Sequence, residues 1–268
     1  MFFEFLAKKI APILRYTRDL KYHFTKNIYL TNYGFKLWLQ NKPNNKNLVD
    51  LCEVNVFKKF IPKSDLFVDI GANIGFFSIL ANKINKRINI ISVEPNNYNF
   101  QLLQKNFKLN SIKKYRLYNY GASDKNCKMK LYGHGQGASL KYKWGGIYNY
   151  SKIIKVKKTK FFFKDVKYYN SIFLKIDVEG HELEVIKGLS RRINNKIKFI
   201  MFENGIKKNF NYKNYNFLKI FLILQDNFYF FSVGNLRKKI TYRELKNTFT
   251  HSIERKNINY LAIRKKLA

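Results

Sequence analysis

Cysteine is nearly absent: Cys52 and Cys127 are the only two in 268 residues. Two cysteines cannot build the disulfide framework of a small secreted domain, and this pair lacks metal-ligand spacing. They fit a reducing, cytoplasmic setting. No stretch reaches the roughly 18 apolar residues of a membrane span. The opening segment, Met1-Phe2-Phe3-Glu4-Phe5-Leu6-Ala7-Lys8-Lys9, carries its positive charge after a short apolar run, the reverse of a secretory signal. Acidic residues are scarce as well. There are 17 Asp and Glu against 52 Lys and Arg, a formal net charge of +35.

Such a charge suits an anionic partner such as nucleic acid, anionic lipid or an acidic glycan. Composition offers a plainer account. Lys, Asn, Ile, Phe and Tyr, the residues of AT-rich codons, recur without regard to position, as in Asn41-Lys42-Pro43-Asn44-Asn45-Lys46-Asn47. Lys also far outnumbers Arg, whereas specific phosphate recognition favours the Arg fork. No specific nucleic-acid partner is therefore predicted. Residues 1–24 set Phe3, Leu6, Ile10, Ile13, Leu14 and Leu20 near helical spacing among Lys and Arg, with Pro12 as a break. This segment is expected to be helical, and either packs on the domain or makes peripheral contact with an anionic membrane.

Aromatic residues, by contrast, are plentiful: 17% of the chain, nearly all Phe and Tyr, enough to fill a substantial core. From residue 66 onward, short apolar runs alternate with helical patterns. Leu66–Ile70, Ile88–Val93 and Tyr115–Tyr120 read as buried strands separated by helices near 76–85 and 97–109. This is the βαβαβ series of a parallel sheet. Residues 125–170 break the rhythm. They are expected to form a small antiparallel insertion with a glycine-rich stretch, Gly133–Ser139, of the kind that serves as a lid or substrate loop. Alternation resumes with strands at 172–177 and 197–202. The runs 228–233 and 259–264 are expected to pair antiparallel at one sheet edge. The domain plan is an N-terminal helical extension over 1–60 and a catalytic domain over 61–268.

The first strand runs into Asp69-Ile70-Gly71-Ala72-Asn73-Ile74-Gly75 and then a helix. Glycines there permit a tight turn and close approach of backbone to ligand. The helix N-terminus offers free N–H groups to an anion. The second strand ends in Glu94, placed to accept hydrogen bonds from two ribose hydroxyls. The spacing is G-x-x-x-G with Phe76 and Phe77 following, so the third glycine of the dinucleotide fingerprint is missing. The balance favours S-adenosylmethionine over a nicotinamide or flavin cofactor.

Phe67–Ser78, Val93-Glu94-Pro95, Ser123-Asp124 and the block Leu174-Lys175-Ile176-Asp177-Val178-Glu179-Gly180-His181-Glu182-Leu183-Glu184-Val185-Ile186-Lys187-Gly188 together resemble the FkbM family of S-adenosylmethionine-dependent methyltransferases. The likeness spans about residues 50–205. It implies an α/β class I methyltransferase fold: a Rossmann-like three-layer sandwich whose mostly parallel seven-stranded sheet has an antiparallel last strand. It implies that Asp69, Gly71, Ala72, Asn73 and Gly75 lie beside the amino-acid end of the donor and that Glu94 takes the ribose. Ala122, Ser123 and Asp124 would flank the adenine. Asp177 would sit between donor and acceptor, and Glu203 at the end of the fifth strand. Of the family's Leu-Asp-Asp-like segment only Asp165 corresponds.

Methyl transfer to a hydroxyl needs alignment and a route for the proton. Asp177, Glu179 and His181 are the candidate catalytic residues, His181 for its pKa. Asp177, Glu179, His181 and Glu203 are compatible with magnesium or manganese, but spacing alone fixes no distances and no resident metal is predicted. The resulting expectation is an O-methyltransferase of a sugar, glycan or glycolipid precursor. The alternatives are an RNA or protein N-methyltransferase, disfavoured because Asp177-Val178-Glu179-Gly180 stands where an amine-binding Asn/Asp-Pro-Pro-Tyr motif would be, or a non-catalytic basic membrane-peripheral protein that keeps the fold.

Overall fold

A computed structural model describes residues 28–39, 49–133, 137–142, 144, 150–203, 217–250 and 259–267. The helix expected over 1–24, the Asn/Lys loop at 41–47 and His134 lie outside these residues. The described part of the N-terminal extension is a hairpin followed by one helix. Strands β1 (Ile28–Leu30) and β2 (Lys36–Trp38) pair antiparallel. Helix α1 (Leu51–Phe60) is capped by the Asp50 carboxylate, which accepts from the Cys52 N–H. Its buried face carries Val54, Val56, Phe57 and Phe60.

The alternating series follows: β3 (Leu66–Ile70), α2 (Phe76–Ile84), β4 (Asn89–Val93), α3 (Asn97–Leu109) and β5 (Tyr115–Tyr118). Helix α3 also anchors the hairpin, because the side-chain carbonyls of Asn106 and Asn110 accept from the N–H groups of Trp38 and Lys36. The insertion is a separate three-stranded sheet of β6 (Gly121–Ser123), β7 (Cys127–Tyr132) and β8 (Ser151–Lys158). Its strands β7 and β8 are antiparallel, as the sequence suggested, while β6 joins β8 in parallel. After β8 the chain turns into a 3-10 helix at Thr159–Phe163.

The main sheet continues with β9 (Ile172–Ile176), α4 (Glu182–Lys187), α5 (Arg191–Lys196), β10 (Ile197–Glu203), α6 (Phe217–Leu224), β11 (Phe228–Ser232), β12 (Asn235–Ile240), α7 (Tyr242–Thr250) and β13 (Asn259–Arg264). Its order is β12-β11-β13-β10-β9-β3-β4-β5. The five strands from β10 to β5 run parallel, and β13 lies antiparallel between β10 and β11. The sheet thus has eight strands, one more than the seven expected. The addition is β12, whose Arg237, Lys238 and Lys239 hide it from a hydrophobic-periodicity reading. Charge of this kind is how an edge strand avoids pairing with other chains.

Strand alternation divides the core in two. On β3, Leu66, Val68 and Ile70 face one layer, with α4 and α6, while Phe67 faces the other, with α1, α2 and α3. In the second layer Phe57 is 0% exposed and meets the rings of Phe67, Phe77 and Phe173 at centroid distances of 5.2, 4.9 and 5.2 Å. This cluster ties α1 to the catalytic sheet. Replacing Phe57 with Ala should lower stability by about 3–5 kcal/mol, as for a large aromatic deleted from a packed core. Tyr168→Ala, at a side chain 71% exposed, should change it by less than about 0.5 kcal/mol. Urea unfolding of both variants measures this, and equal losses would contradict it.

Candidate active site

From β3 the chain proceeds to β4 and β5 on one side, then returns to β9 and β10 on the other. The C-terminal ends on either side of that reversal are where open α/β sheets bind ligands. A cavity of about 340 Å³ opens there, lined by the loop after β3, Glu94 after β4, Tyr120 to Ala122, and the ends of β9 and β10.

Two glycines shape the loop. Gly71 has φ +85°, and a Cβ there would come 1.7 Å from the Asp177 carbonyl oxygen. Gly75 has φ +92° and starts α2; a Cβ would meet Leu103 Cδ1 at 2.5 Å. Asn73 between them also has positive φ, +50°, a conformation Asn tolerates better than most residues. The Glu94 carboxylate locks this turn: one oxygen accepts from the Asn73 N–H and the other from the Asn96 N–H, both at 2.8 Å. The Asn99 side chain hydrogen-bonds the same carboxylate, which keeps a further acceptor site. Glu94 is only 5% exposed, and burial pushes its pKa up to about 7 despite the two N–H donors. The side-chain oxygen of Asn73 is buried in the cavity wall with no partner.

Across the sheet the strand ends set a row. Glu94 follows β4, Gly71 follows β3, Asp177 follows β9, Glu203 ends β10 and Asn259 begins β13 opposite Glu203. At about 4.8 Å between neighbouring strands the row spans about 19 Å. Its far end is rich in carboxylates. Asp177, Glu179 and Glu203 each offer an oxygen within 4.8 Å of the others. That spacing is compatible with a divalent cation. One cation is already supplied by the chain, since Lys175 Nζ lies 2.8 Å from Asp177 Oδ2 and 4.6 Å from the Phe77 ring centre. Burial alone would lower the Lys175 pKa, but Asp177, Asp69 and Glu53 hold it above its ordinary value. Burial likewise opposes the charge on Asp177, and Lys175 together with a hydrogen bond from Glu203 holds its pKa below the usual range. Burial and the neighbouring Asp177 push Glu203 far above that range, and the two carboxyl groups share a hydrogen bond.

Of the residues singled out from sequence, Gly71, Ala72, Asn73, Glu94, Ala122, Asp177, Glu179 and Glu203 line this cavity together. The others lie behind it. Asp69 is buried and accepts from Ser78 Oγ at 2.6 Å, bracing α2 against β3. Gly75 packs on α3. Ser123 Oγ is 3.1 Å from Asp124 and 2.9 Å from His181 Nε2. His181 precedes α4, is buried among β6 and that helix, and has its pKa lowered by burial. It is absent from the cavity wall, as are Ser123 and Asp124. Asp165 pairs with Arg116 at the other end of the parallel strands.

Three cavity residues have no role assigned from sequence, although Lys175 stands inside the 174–188 block. Glu53 comes from α1, Lys175 sits inside β9, and Asn259 opens β13. Glu53 is the polar residue on a buried helical face, a mismatch that periodicity alone shows but does not explain. The loop after β9 is held from both sides. Glu182 Oε1 accepts from the N–H groups of Val178 and Gly180. From the insertion, Trp144 Nε1 donates to Glu179 at 2.9 Å and Ser139 Oγ donates to the Glu179 carbonyl at 2.7 Å.

Glu53, Glu94 and Glu182 each have a pKa raised from 4.5 to about 7, burial being the main cause. Between those values the folded protein holds protons that the unfolded chain has released. Stability of the unliganded protein should therefore fall as pH rises from about 4.5 through about 7. Glu94→Gln should flatten that decline by removing one such group. Urea midpoints at pH 5.5 and 7.5 test this; an unchanged difference between the two midpoints would refute the assignment.

No curated protein matches the chain in sequence. Its fold is similar to that of a Staphylococcus aureus protein assigned provisionally as a caffeoyl-CoA O-methyltransferase, with 13% identity, TM-score 0.46, and coverage of 82% of this chain and 85% of that one. It is also similar to the human methyltransferase 10 domain containing protein, with 12% identity, TM-score 0.44, and coverage of 94% and 95%. A ribosomal protein L11 methylase from Lactobacillus delbrueckii subsp. bulgaricus is 13% identical, with TM-score 0.41 and coverage of 89% and 98%. The sequence model described as "Methyltransferase FkbM domain" matches residues 69–231, well over half of the chain and the span that holds Gly71, Glu94, Asp177 and Glu203. The chain belongs to this FkbM family of methyltransferases, whose methyl donor is S-adenosylmethionine.

Proposed function

We propose that this methyltransferase acts on a hydroxyl of a sugar, glycan or glycolipid precursor, with the Asp177–Glu203 pair receiving the hydroxyl proton. The observation that carries the reading is that pair: two carboxyl groups hydrogen-bonded to each other, in the same cavity wall as the Gly71 loop and Glu94. A neutral sugar hydroxyl needs such a proton acceptor, and it needs to be held in line.

The residues fit the donor along the row. Glu94 keeps an acceptor site for a ribose hydroxyl, and the orphaned Asn73 oxygen awaits a donor group. Tyr120, Gly121, Ala122, Leu131 and Leu140 make an apolar slot suited to a purine. Bound there, S-adenosylmethionine supplies a methyl carbon made electrophilic by its sulfonium. Asp177 then accepts the hydrogen bond of the acceptor hydroxyl and orients its oxygen. Lys175 keeps Asp177 ionised and ready to accept. The hydroxyl proton would pass to the carboxylate pair as the methyl carbon exchanges its bond to sulfur for one to the acceptor oxygen, leaving S-adenosylhomocysteine. Glu179, clasped by Trp144 and Ser139, closes the same wall against water. His181 supports this loop from behind through Ser123. Two free thiols, Cys52 and Cys127, agree with a cytoplasmic site for the reaction. Among the described residues no helix is long and apolar enough to cross a membrane.

Glu94→Ala should weaken S-adenosylhomocysteine binding about 10- to 100-fold, because hydrogen bonds to a charged group contribute about 1.5–3 kcal/mol. Calorimetric titration measures it, and wild-type affinity in that variant would remove Glu94 from the donor site. Asp177→Asn should cut the turnover rate by about 10²–10⁴ at saturating donor, the usual worth of a general base. Transfer of labelled methyl groups to extracted glycans and glycolipids reads this out. Transfer only to RNA or protein would overturn the acceptor class.

A further inference from the structure

Resting on the methyltransferase reading, we infer that the reacting end of the acceptor is a neutral or amino-bearing carbohydrate rather than an anionic one. Glu53 and Asn259 are the residues that select it. Both line the cavity beyond Asp177 and Glu203, at the end of the row away from Glu94. Both also lie outside residues 69–231, the span of the family match. The wall they form can therefore differ between members while the donor loop stays intact.

The chemistry of this wall is one-sided. Asn259 Nδ2 donates to Glu53 Oε1 at 2.8 Å. A carboxylate needs a donor there, so the amide orientation follows from chemistry, and the Asn259 carbonyl oxygen is left on the other side. The second Glu53 oxygen, the Asn259 carbonyl, Asp177 and Glu203 are then acceptors, apart from the proton in the Asp177–Glu203 hydrogen bond and the one that Glu53 keeps below about pH 7. They call for hydroxyl or ammonium donors on the ligand. Among the described residues of this wall, three carboxyl groups, Glu53, Asp177 and Glu203, stand with one ammonium, Lys175. Lys175 is only 3% exposed and is engaged by Asp177, so it is not on offer to an incoming anion. A phosphate or carboxylate in this wall would meet like charges, which is how a binding site excludes a wrong partner. The +35 exterior does the reverse and draws anions toward the surface. Any negative charge on the acceptor must then lie outside the cavity, and the sugar that enters must lack one.

The test uses the full chain saturated with S-adenosylhomocysteine. Four probes are titrated by saturation-transfer NMR: methyl glucoside, glucosamine, glucuronate and glucose 6-phosphate. The first two should bind at least about tenfold more tightly than the last two, since like-charge juxtaposition is costly. Glu53→Lys should shrink or reverse that preference, and Asn259→Ala should weaken the neutral probe, both with unchanged S-adenosylhomocysteine affinity. Should Glu53→Lys lose S-adenosylhomocysteine binding, Glu53→Gln replaces it and should narrow the preference. Anionic probes binding as tightly as neutral ones, no probe binding at all, or variants that keep the wild-type ranking would each overturn the inference. Failure of the wild-type chain to bind S-adenosylhomocysteine would instead overturn the methyltransferase site itself.

Discussion

Between Gly71 and the carbonyl of Asp177 there is no room for a methyl group, and the Asp177 N–H donates to the Ile70 carbonyl at 2.9 Å. The loop after β3 and the loop after β9 are therefore one object. The first shapes one part of the cavity wall and the second carries the Asp177 carboxylate into it. In-line transfer is steeply sensitive to placement, and here the two halves of the site cannot drift apart without breaking a backbone contact. The constraint originates in sheet order. Strands β3 and β9 are neighbours because the chain reverses direction across the sheet there.

That junction explains why so much polar chemistry is buried around it. Glu94, Glu53, Glu182 and Glu203 all have raised pKa values, with burial the leading cause in each case. Each is tied down by hydrogen bonds: Glu94 by two backbone N–H groups, Glu182 by two others, Glu53 by Asn259. The fold gives up stability to hold these groups in fixed positions out of water. Ligand hydroxyls that donate to Glu94 or Glu53 would favour their ionised forms, so binding and deprotonation are coupled in the same direction. A site of this kind is unstable when empty at alkaline pH and most improved by its own ligands.

The sequence was most legible where backbone geometry dictates residue type. A positive φ and a close approach demand Gly71, and a turn bridged by Glu94 demands a carboxylate at that distance along the chain. Both patterns are local. The alternating strands were legible for the same reason, since parallel strands buried on both faces read as short apolar runs. What could not be read was tertiary. Glu53 and Asn259 are 206 positions apart and meet only because β13 inserts beside β10. Strand β12 carries three consecutive basic residues and lacks the apolar signature of its neighbours. His181 has the right intrinsic pKa for proton transfer, but its neighbours are Ser123 and Glu184, and the direction of a side chain on a turn is not encoded in spacing.

The insertion resolves the remaining tension between a strongly basic chain and an acidic cavity. Its sheet exposes lysines: Lys128 stands directly opposite Lys155, and Lys130 and Lys152 are also exposed. Opposed like charges weaken a strand pair, so the face gains from any nearby anion. Yet the inner edge of the same insertion sends Trp144 and Ser139 to Glu179 and contributes Leu131 and Leu140 to the cavity wall. One element thus presents positive charge to solvent and apolar and hydrogen-bonding groups to the site. An acceptor on an anionic carrier would be drawn by the outer face while only its uncharged part passed within. Charge composition and pocket chemistry then act at different distances, the first on encounter and the second on selection.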